Sequence, residues 1–191
     1  MGTIKVGVIN CDLHAFYYGA LMGGYDPIDL RDDPVGRGQS AFFYHYLHYS
    51  NPRQMTAPLV KGFELVRFWD PADSAQAGNM ARIFNPRNGV VCDRLDQVSD
   101  DVDLVFIADC NGDGSEHLAW ATPGLKKRGP TFVDKPFASE YRDAKKMIEL
   151  ASKHSVPVMS MSILGQTPEV FHFRNRFQEL GGAEFGTVKG G

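Results

Sequence analysis

Six short apolar runs, separated mostly by stretches of helical periodicity, set the pattern of this chain. Ile4-Lys5-Val6-Gly7-Val8-Ile9 is β-branched and nearly all apolar, as a strand buried on both faces is. Asn10-Cys11-Asp12 breaks it. His14 to Met22 predicts a helix that stops at Gly23-Gly24, glycines suited to a C-cap. Phe63 to Trp69 predicts a second strand, closed by Asp70-Pro71. Asp73 to Phe84 predicts a helix with Ala77, Met80, Ala81 and Phe84 on one face. Val90 to Cys92 is a short strand, and Val102 to Ala108 is the plainest buried strand of all. Ser115 to Arg128 predicts a helix, which Pro123-Gly124 is expected to kink or split. Thr131 to Val133 is a strand. Ser139 to His154 is a helix whose Tyr141, Ala144, Met147, Ile148 and Ala151 recur at helical spacing. Val156 to Ile163 predicts a sixth strand. Thr167-Pro168 opens a last helix running to Leu180, and Ala183 to Lys189 reads as the start of another strand.

Residues 23–62 break the alternation with Pro27, Pro34, Pro52 and Pro58 and an acidic cluster from Asp29 to Asp33. Ser40 is expected to cap a short helix there, through the aromatic stretch Phe42 to Tyr49, which Pro52 ends. A connection this long is often functional. Its aromatics are expected to anchor it to the core, with a ligand or partner surface as the alternative.

Strands alternating with helices give the fold class. It is α/β, a doubly wound parallel Rossmann sheet with helices on both faces. Such sheets bind ligands beyond the C-terminal strand ends, at the point where strand order reverses. The positions to watch are Asn10 to His14, Asp70, Asp109 to Asn111 and Asp134 to Pro136.

Composition narrows the classes. The 191 residues exceed a typical domain of ~150, so one domain plus a remainder is expected. Twenty Lys and Arg against 23 Asp and Glu give a net charge of −3, too acidic for a broad nucleic-acid surface. No run reaches the ~18 apolar residues of a membrane span. The N-terminus lacks the apolar core and cleavage site of a signal peptide. A cytoplasmic protein, with neither nucleic acid nor membrane as partner, is the expectation. The three cysteines, Cys11, Cys92 and Cys110, have no C-x-x-C spacing and suit packing rather than a disulfide framework or zinc knuckle. His45 and His48 are three apart, as metal ligands can be, but no third ligand stands near and no metal site is expected. The hydrolase elbow, the zincin motif and the P-loop are all missing.

Three features together carry a family resemblance. The opening Lys5-Val-Gly-Val-Ile-Asn-Cys-Asp-Leu-His-Ala15 is similar to a first strand and its nucleotide loop. Asn111 and His117 fall where a strand-four loop ends and a helix opens. Phe132-Val-Asp-Lys-Pro-Phe-Ala138 resembles an E-K-P motif after strand five. The chain thus resembles the N-terminal half of the Gfo/Idh/MocA oxidoreductases, the glucose–fructose oxidoreductase and inositol dehydrogenase group. That resemblance implies NAD or NADP bound on the Rossmann half, and hydride transfer to or from a sugar, cyclitol or related polyol. It implies Lys135 as the catalytic Lys at the nicotinamide end. A second α/β domain would supply most substrate contacts, the usual catalytic His and a surface for homo-oligomers. The expected organisation is a Rossmann domain over 1–165, with 166–191 a linking helix and the beginning of that second domain. The isolated chain is then expected to turn over little substrate.

The expected dinucleotide contacts are Asn10, Asp12, Leu13, His14, Asp70, Asp109, Asn111, Asp134, Lys135 and Pro136. Read against G-x-G-x-x-G/A, the first glycine is Asn10, the second Asp12 and the third Ala15. Asn tolerates a left-handed backbone and Ala is allowed. Asp12 puts a negative charge where a diphosphate should sit. Two like charges at ~4 Å repel by ~4 kcal/mol at an effective dielectric of 20. Asp12 must therefore turn away or meet a cation. Asp70, after the second strand, suits the ribose 2′-OH of NAD and disfavours NADP; it lies far past the usual ~20 residues because the 23–62 segment intervenes. Asp12 and Asp109 are expected to be near neighbours, with a divalent cation between them as the bolder reading and separately solvated carboxylates as the plainer one. Asp134, in place of Glu, is one methylene short. His14 suits the pyrophosphate region or a packing role, and His117, His154 and His172 carry no assigned role. Two readings stay open: an oxidoreductase nucleotide domain, or a degenerate Rossmann domain that binds another ligand or a protein.

Overall fold

Parallel strands need crossover connections, and here helices supply most of them. The computed structural model describes residues 2–48, 59–177, 179 and 181. Its strands are β1 (Ile4–Ile9), β2 (Phe63–Trp69), β3 (Val90–Val91), β4 (Leu104–Ile107), β5 (Thr131–Val133) and β6 (Val158–Ser160). They form one parallel sheet in the order β3-β2-β1-β4-β5-β6. That is the Rossmann order, with its switch point between β1 and β4. The register aligns Ile9 with Trp69 and with Ile107, and Ile107 with Val133. The next residues along, Asn10, Asp70, Ala108 and Asp134, therefore leave the sheet at one level.

The period of two in β4 sorts the two layers. Phe106 and Ala108 join Val6, Val8, Phe16, Phe68, Met80 and Phe84 on one face. Val105 and Ile107 join Ile9, Trp120, Leu125, Met147 and Val156 on the other. The first face is covered by α1 (Leu13–Met22), by α2 (Pro27–Arg31) and α3 (Arg37–Phe42) of the long connection, and by α4 (Ser74–Phe84). The second is covered by α5 (His117–Lys126) and α6 (Tyr141–His154).

Gly7 is required where β1 passes under the 3-10 turn Leu95–Ser99. A Cβ there would meet the Val98 carbonyl oxygen at 2.3 Å and Val98 Cγ1 at 2.8 Å. Gly7→Ala is expected to cost about 1–3 kcal/mol through forced displacement; an unchanged urea midpoint would contradict it.

Several expectations need correction. Ser40 is not a cap. Gly36, at φ 82°, starts α3, and the Ser40 hydroxyl donates to the Gly36 carbonyl from inside the helix. The single helix expected near Ser40 is α3 followed by a π-helical turn over Phe43–His48, and the connection also carries α2, started by Asp26 with Pro27 at the first position. Tyr49 to Pro58 lie outside the described residues. Phe42 and Tyr46 are buried and stacked, while Phe43 and Tyr44 are exposed, so the aromatics serve partly as an anchor. Pro123 sits inside one helix, α5, neither ending nor dividing it. It lies near the C-terminal end, where its own carbonyl accepts from Lys127 N–H. On α6 only Met147 and Ala151 are buried; Tyr141 and Ile148 are 83 % and 55 % exposed. The sixth strand keeps three residues, because only Val158 to Ser160 find partners on β5.

Residues 1–160 form one compact unit and 161–191 a second. The second holds a 3-10 turn (Ile163–Gln166) and α7 (Pro168–Arg176). The strand beginning expected over Ala183 to Lys189 lies outside the described residues. Among the described residues no helix is long and apolar enough to cross a membrane.

Candidate functional site

Carboxylates bound to main-chain amides fasten the level strand ends to one another. Asn10 takes φ 65°, the left-handed turn a glycine would take, and its Nδ2 donates to the Ala108 carbonyl at 2.8 Å. Cys11 N–H donates to Asp70 Oδ2 at 2.9 Å, while Asp70 Oδ1 accepts from Ala72 and Asp73 N–H. Asp70, the expected ribose acceptor, thus already ties the β1 turn to the β2 turn.

Asp12 caps α1. Its Oδ1 accepts from His14 N–H at 2.9 Å and Ala15 N–H at 3.3 Å. Its Oδ2 accepts from Cys110 N–H across the switch point. The carboxylate turns into the helix N-terminus, the place where an anion binds best. Burial raises its pKa, against the lowering effect of those amide bonds. Leu13, in the same first turn, is half-buried.

Asp134 is 1 % exposed and fully engaged. Its Oδ2 meets His14 Nδ1 and accepts from Asp109 N–H at 2.9 Å; its Oδ1 accepts from Lys135 N–H at 2.7 Å. Burial alone would raise its pKa, but the bonds from His14, Asp109 and Lys135 outweigh it and hold the carboxyl below its ordinary value. An ionised carboxylate only accepts, so His14 donates to it from Nδ1. Lys135, half-buried, donates from Nζ to the Cys110 carbonyl at 2.8 Å. Pro136 and Asn111 are exposed.

Asp109 faces α5. Its Oδ2 is 3.0 Å from Nε2 of the fully buried His117, off the line of a hydrogen bond, so this nitrogen finds no such partner among the described residues. His117 Nδ1 lies 3.2 Å from the Phe137 carbonyl. Gly112 leaves room for the Asp109 carboxylate, which a Cβ would meet at 1.9 Å. The cation between Asp12 and Asp109 is thereby corrected: one carboxylate is spent on amides, the other faces His117. Among the described residues no group of three His, Cys, Asp or Glu could hold a metal. His45 is 2 % exposed, with Nε2 at 2.9 Å from the Tyr17 carbonyl, and burial lowers its pKa. The His48 side chain lies outside what is described. All three cysteines are free thiols. Burial, then Asp70 and Asp12, push Cys11 well above the ordinary thiol range.

The structure adds one residue that the sequence reading missed. Arg37, the first residue of α3, reaches back to the β1–α1 turn, and its Nη1 donates to the Cys11 carbonyl at 2.6 Å. No local signal marks it: Asp26-Pro27 starts α2, whereas Arg37 follows Gly36 at the start of α3.

Comparison with known proteins gives the frame for this rim. The family model described as "Oxidoreductase family, NAD-binding Rossmann fold", that of Gfo/Idh/MocA, matches residues 35–162. No curated protein matches the chain by sequence. Among solved structures, the WlbA dehydrogenase of Chromobacterium violaceum, in complex with NADH and UDP-GlcNAcA, aligns with a TM-score of 0.63 at 13% identity, over 94% of this chain and 41% of that one. An NAD-binding oxidoreductase from Klebsiella pneumoniae aligns with a TM-score of 0.62 at 17% identity, over 93% and 39%. An oxidoreductase from Agrobacterium radiobacter, in complex with NAD+, L-tartaric acid and magnesium, aligns with a TM-score of 0.60 at 16% identity, over 92% and 40%. At these identities the likeness is one of fold, and the chain spans about two fifths of each protein's length. On the family match, this chain belongs to the Gfo/Idh/MocA oxidoreductases, a family with an NAD-binding Rossmann fold.

Proposed function

We propose that the chain is the dinucleotide-binding part of an NAD-dependent oxidoreductase, acting on the carbinol carbon of a sugar, cyclitol or related polyol. The observation that supports this most is the convergence of His14, Asp134 and Lys135 beside the switch point, at the ends of β1 and β5.

The donor set fits a dinucleotide in chemistry, on one condition. The amides of His14 and Ala15 already hold an anionic oxygen, which comes from Asp12. Asp12 must give up those amides for a diphosphate to use them. Asp70 would hold the adenosine ribose, since a carboxylate has about four acceptor sites and three are used here. Leu13, Asp109, Asn111 and Pro136 would line the same rim. Bound nicotinamide supplies the hydride acceptor or donor.

The remaining work falls to this chain's own groups. Lys135 has three N–H donors and spends one on Cys110, which leaves two to hold a substrate hydroxyl. Its charge would stabilise the oxygen as negative charge grows there. Asp134, kept ionised, would fix Lys135 through its backbone and His14 through Nδ1. A second domain would complete the substrate site and supply any surface for a homo-oligomer.

A second reading rests on Asp12 itself. With its carboxylate seated on the helix amides, the domain is a Rossmann scaffold that binds another ligand or a protein. Calorimetric titration with NAD+, NADH and NADP+ separates the two. Saturable binding of NAD+ or NADH is expected, with NADP+ weaker through repulsion by Asp70. Binding by neither the parent chain nor Asp12→Asn would overturn the oxidoreductase reading and leave the second.

A further inference from the structure

We propose that Arg37 is the diphosphate ligand of this chain, a side-chain cation from the long connection that takes over from the missing glycines. The inference rests on the dinucleotide reading above.

Arg37 is held at a fixed point of the fold. Gly36 at φ 82° lets the chain turn directly into α3. The next turn is pressed onto a buried carboxylate, since a Cβ on Gly38 would meet Asp33 Cβ at 2.7 Å and the Leu30 carbonyl at 2.8 Å. Asp33 is 5 % exposed and accepts from Gly38 N–H at 2.6 Å, from Val35 N–H at 3.2 Å and from the Asn79 side chain of α4. The start of α3 is thus fixed by main-chain bonds and by a tie to α4. From there Arg37 reaches the β1–α1 turn at Cys11.

The second observation is the missing counter-charge. Arg37 is half-buried, yet among the described residues no carboxylate lies within ion-pair distance of it. Asp12 and Asp70 flank Cys11 in space and would be its natural partners. Both instead spend their carboxylates on backbone amides. A guanidinium offers five N–H donors in a planar fork, and one is used here. A partly desolvated cation without an anion is costly, and a fork with open donors is the geometry that grips a phosphate two bonds at a time.

This also answers what Asp12 does to the site. A glycine fingerprint holds a diphosphate with neutral amides alone. Here a negative side chain stands at the turn, and a positive one stands one residue away. Arg37 offsets the repulsion that Asp12 would otherwise impose.

The test is calorimetric titration of the whole chain with NAD+, NADP+ and ADP-ribose, for the parent, Arg37→Ala and Arg37→Lys. Circular dichroism and melting curves check that each is folded; Arg37→Gln replaces the Ala variant if that one is not. Arg37→Ala is expected to weaken all three ligands at least tenfold, and to flatten the dependence of affinity on salt. Arg37→Lys, which keeps charge but not the fork, is expected to fall between. Undiminished binding by a folded Arg37→Ala would overturn the assignment while the dinucleotide reading stands. Loss confined to NADP+ would move Arg37 to the 2′-phosphate and overturn it as well. Absence of binding by the parent and by Asp12→Asn would remove the dinucleotide reading and this inference with it.

Discussion

Asp12→Asn is expected to tighten NAD+ binding at least tenfold. A carboxylate ~4 Å from a phosphate charge costs up to ~4 kcal/mol at an effective dielectric of 20, about a thousandfold in affinity. Arg37 offsets part of that, so the gain falls between these figures. Asn caps a helix about as well as Asp does, so the amides of His14 and Ala15 keep an acceptor and α1 stays capped. Asp12→Ala would add the loss of the cap, about 1 kcal/mol, and blur the result. The pH dependence has a definite sign. Burial raises the Asp12 pKa above its unfolded value of ~3.9, so its contribution to stability is full below that value and is lost as pH rises through the folded pKa. Neutralising it at pH 7 therefore costs little stability through charge; what it does cost is the bond from Cys110 N–H, where Asn presents a donor in place of an acceptor. Acidification through the raised pKa should strengthen binding by the parent chain, and Asp12→Asn should lack that part of the slope. Equal affinities for parent and Asp12→Asn, from pH 5 to 8, would refute the charge argument.

Asp134→Asn is expected to lower stability by about 3 kcal/mol, because three donors converge on a carboxylate that is 1 % exposed. An amide offers one acceptor oxygen and turns its own N–H groups toward donors. For a chain of this size the melting temperature should fall by about 6–12 °C. Here the linkage runs the other way. The folded pKa lies below the unfolded ~3.9, so the stabilisation is present above the unfolded value and lost as pH falls through the folded one. The gap between parent and variant should therefore be widest near neutrality and close below about pH 4. A gap that stays constant with pH would point to packing rather than charge.

Much of the sheet was legible because parallel strands are apolar on both faces. Val6, Val8, Val105 and Ile107 need no partner to be recognised as interior. Strand ends were less legible, since pairing decides them: β6 stops where β5 stops. The face of α6 misled because periodicity marks which residues align and not how wide a stripe the sheet covers. Tyr141 and Ile148 fall outside that stripe. At the rim, the residues were legible from their place at the C-terminal end of each strand, but their partners were not. Nothing local tells that Asp12 bonds Cys110, or Asp134 bonds His14, because those pairs are joined only through register. Arg37 was hidden for the same reason. Its reach depends on Asp33 meeting Asn79, a contact between the long connection and α4.

The rim is fastened largely by acids bonded to the main chain, alongside the side-chain contact of Asp134 with His14. Asp12, Asp70 and Asp134 each accept from two or three amides. Such bonds are short-range, and dissolved ions at ~0.1 M act over ~10 Å between exposed charges. Brine therefore leaves the turns themselves fastened, while the grip of Arg37 on a phosphate weakens. In concentrated salt this domain should stay assembled and become a poor host, a separation of architecture from affinity that a rim built of ion pairs would not have.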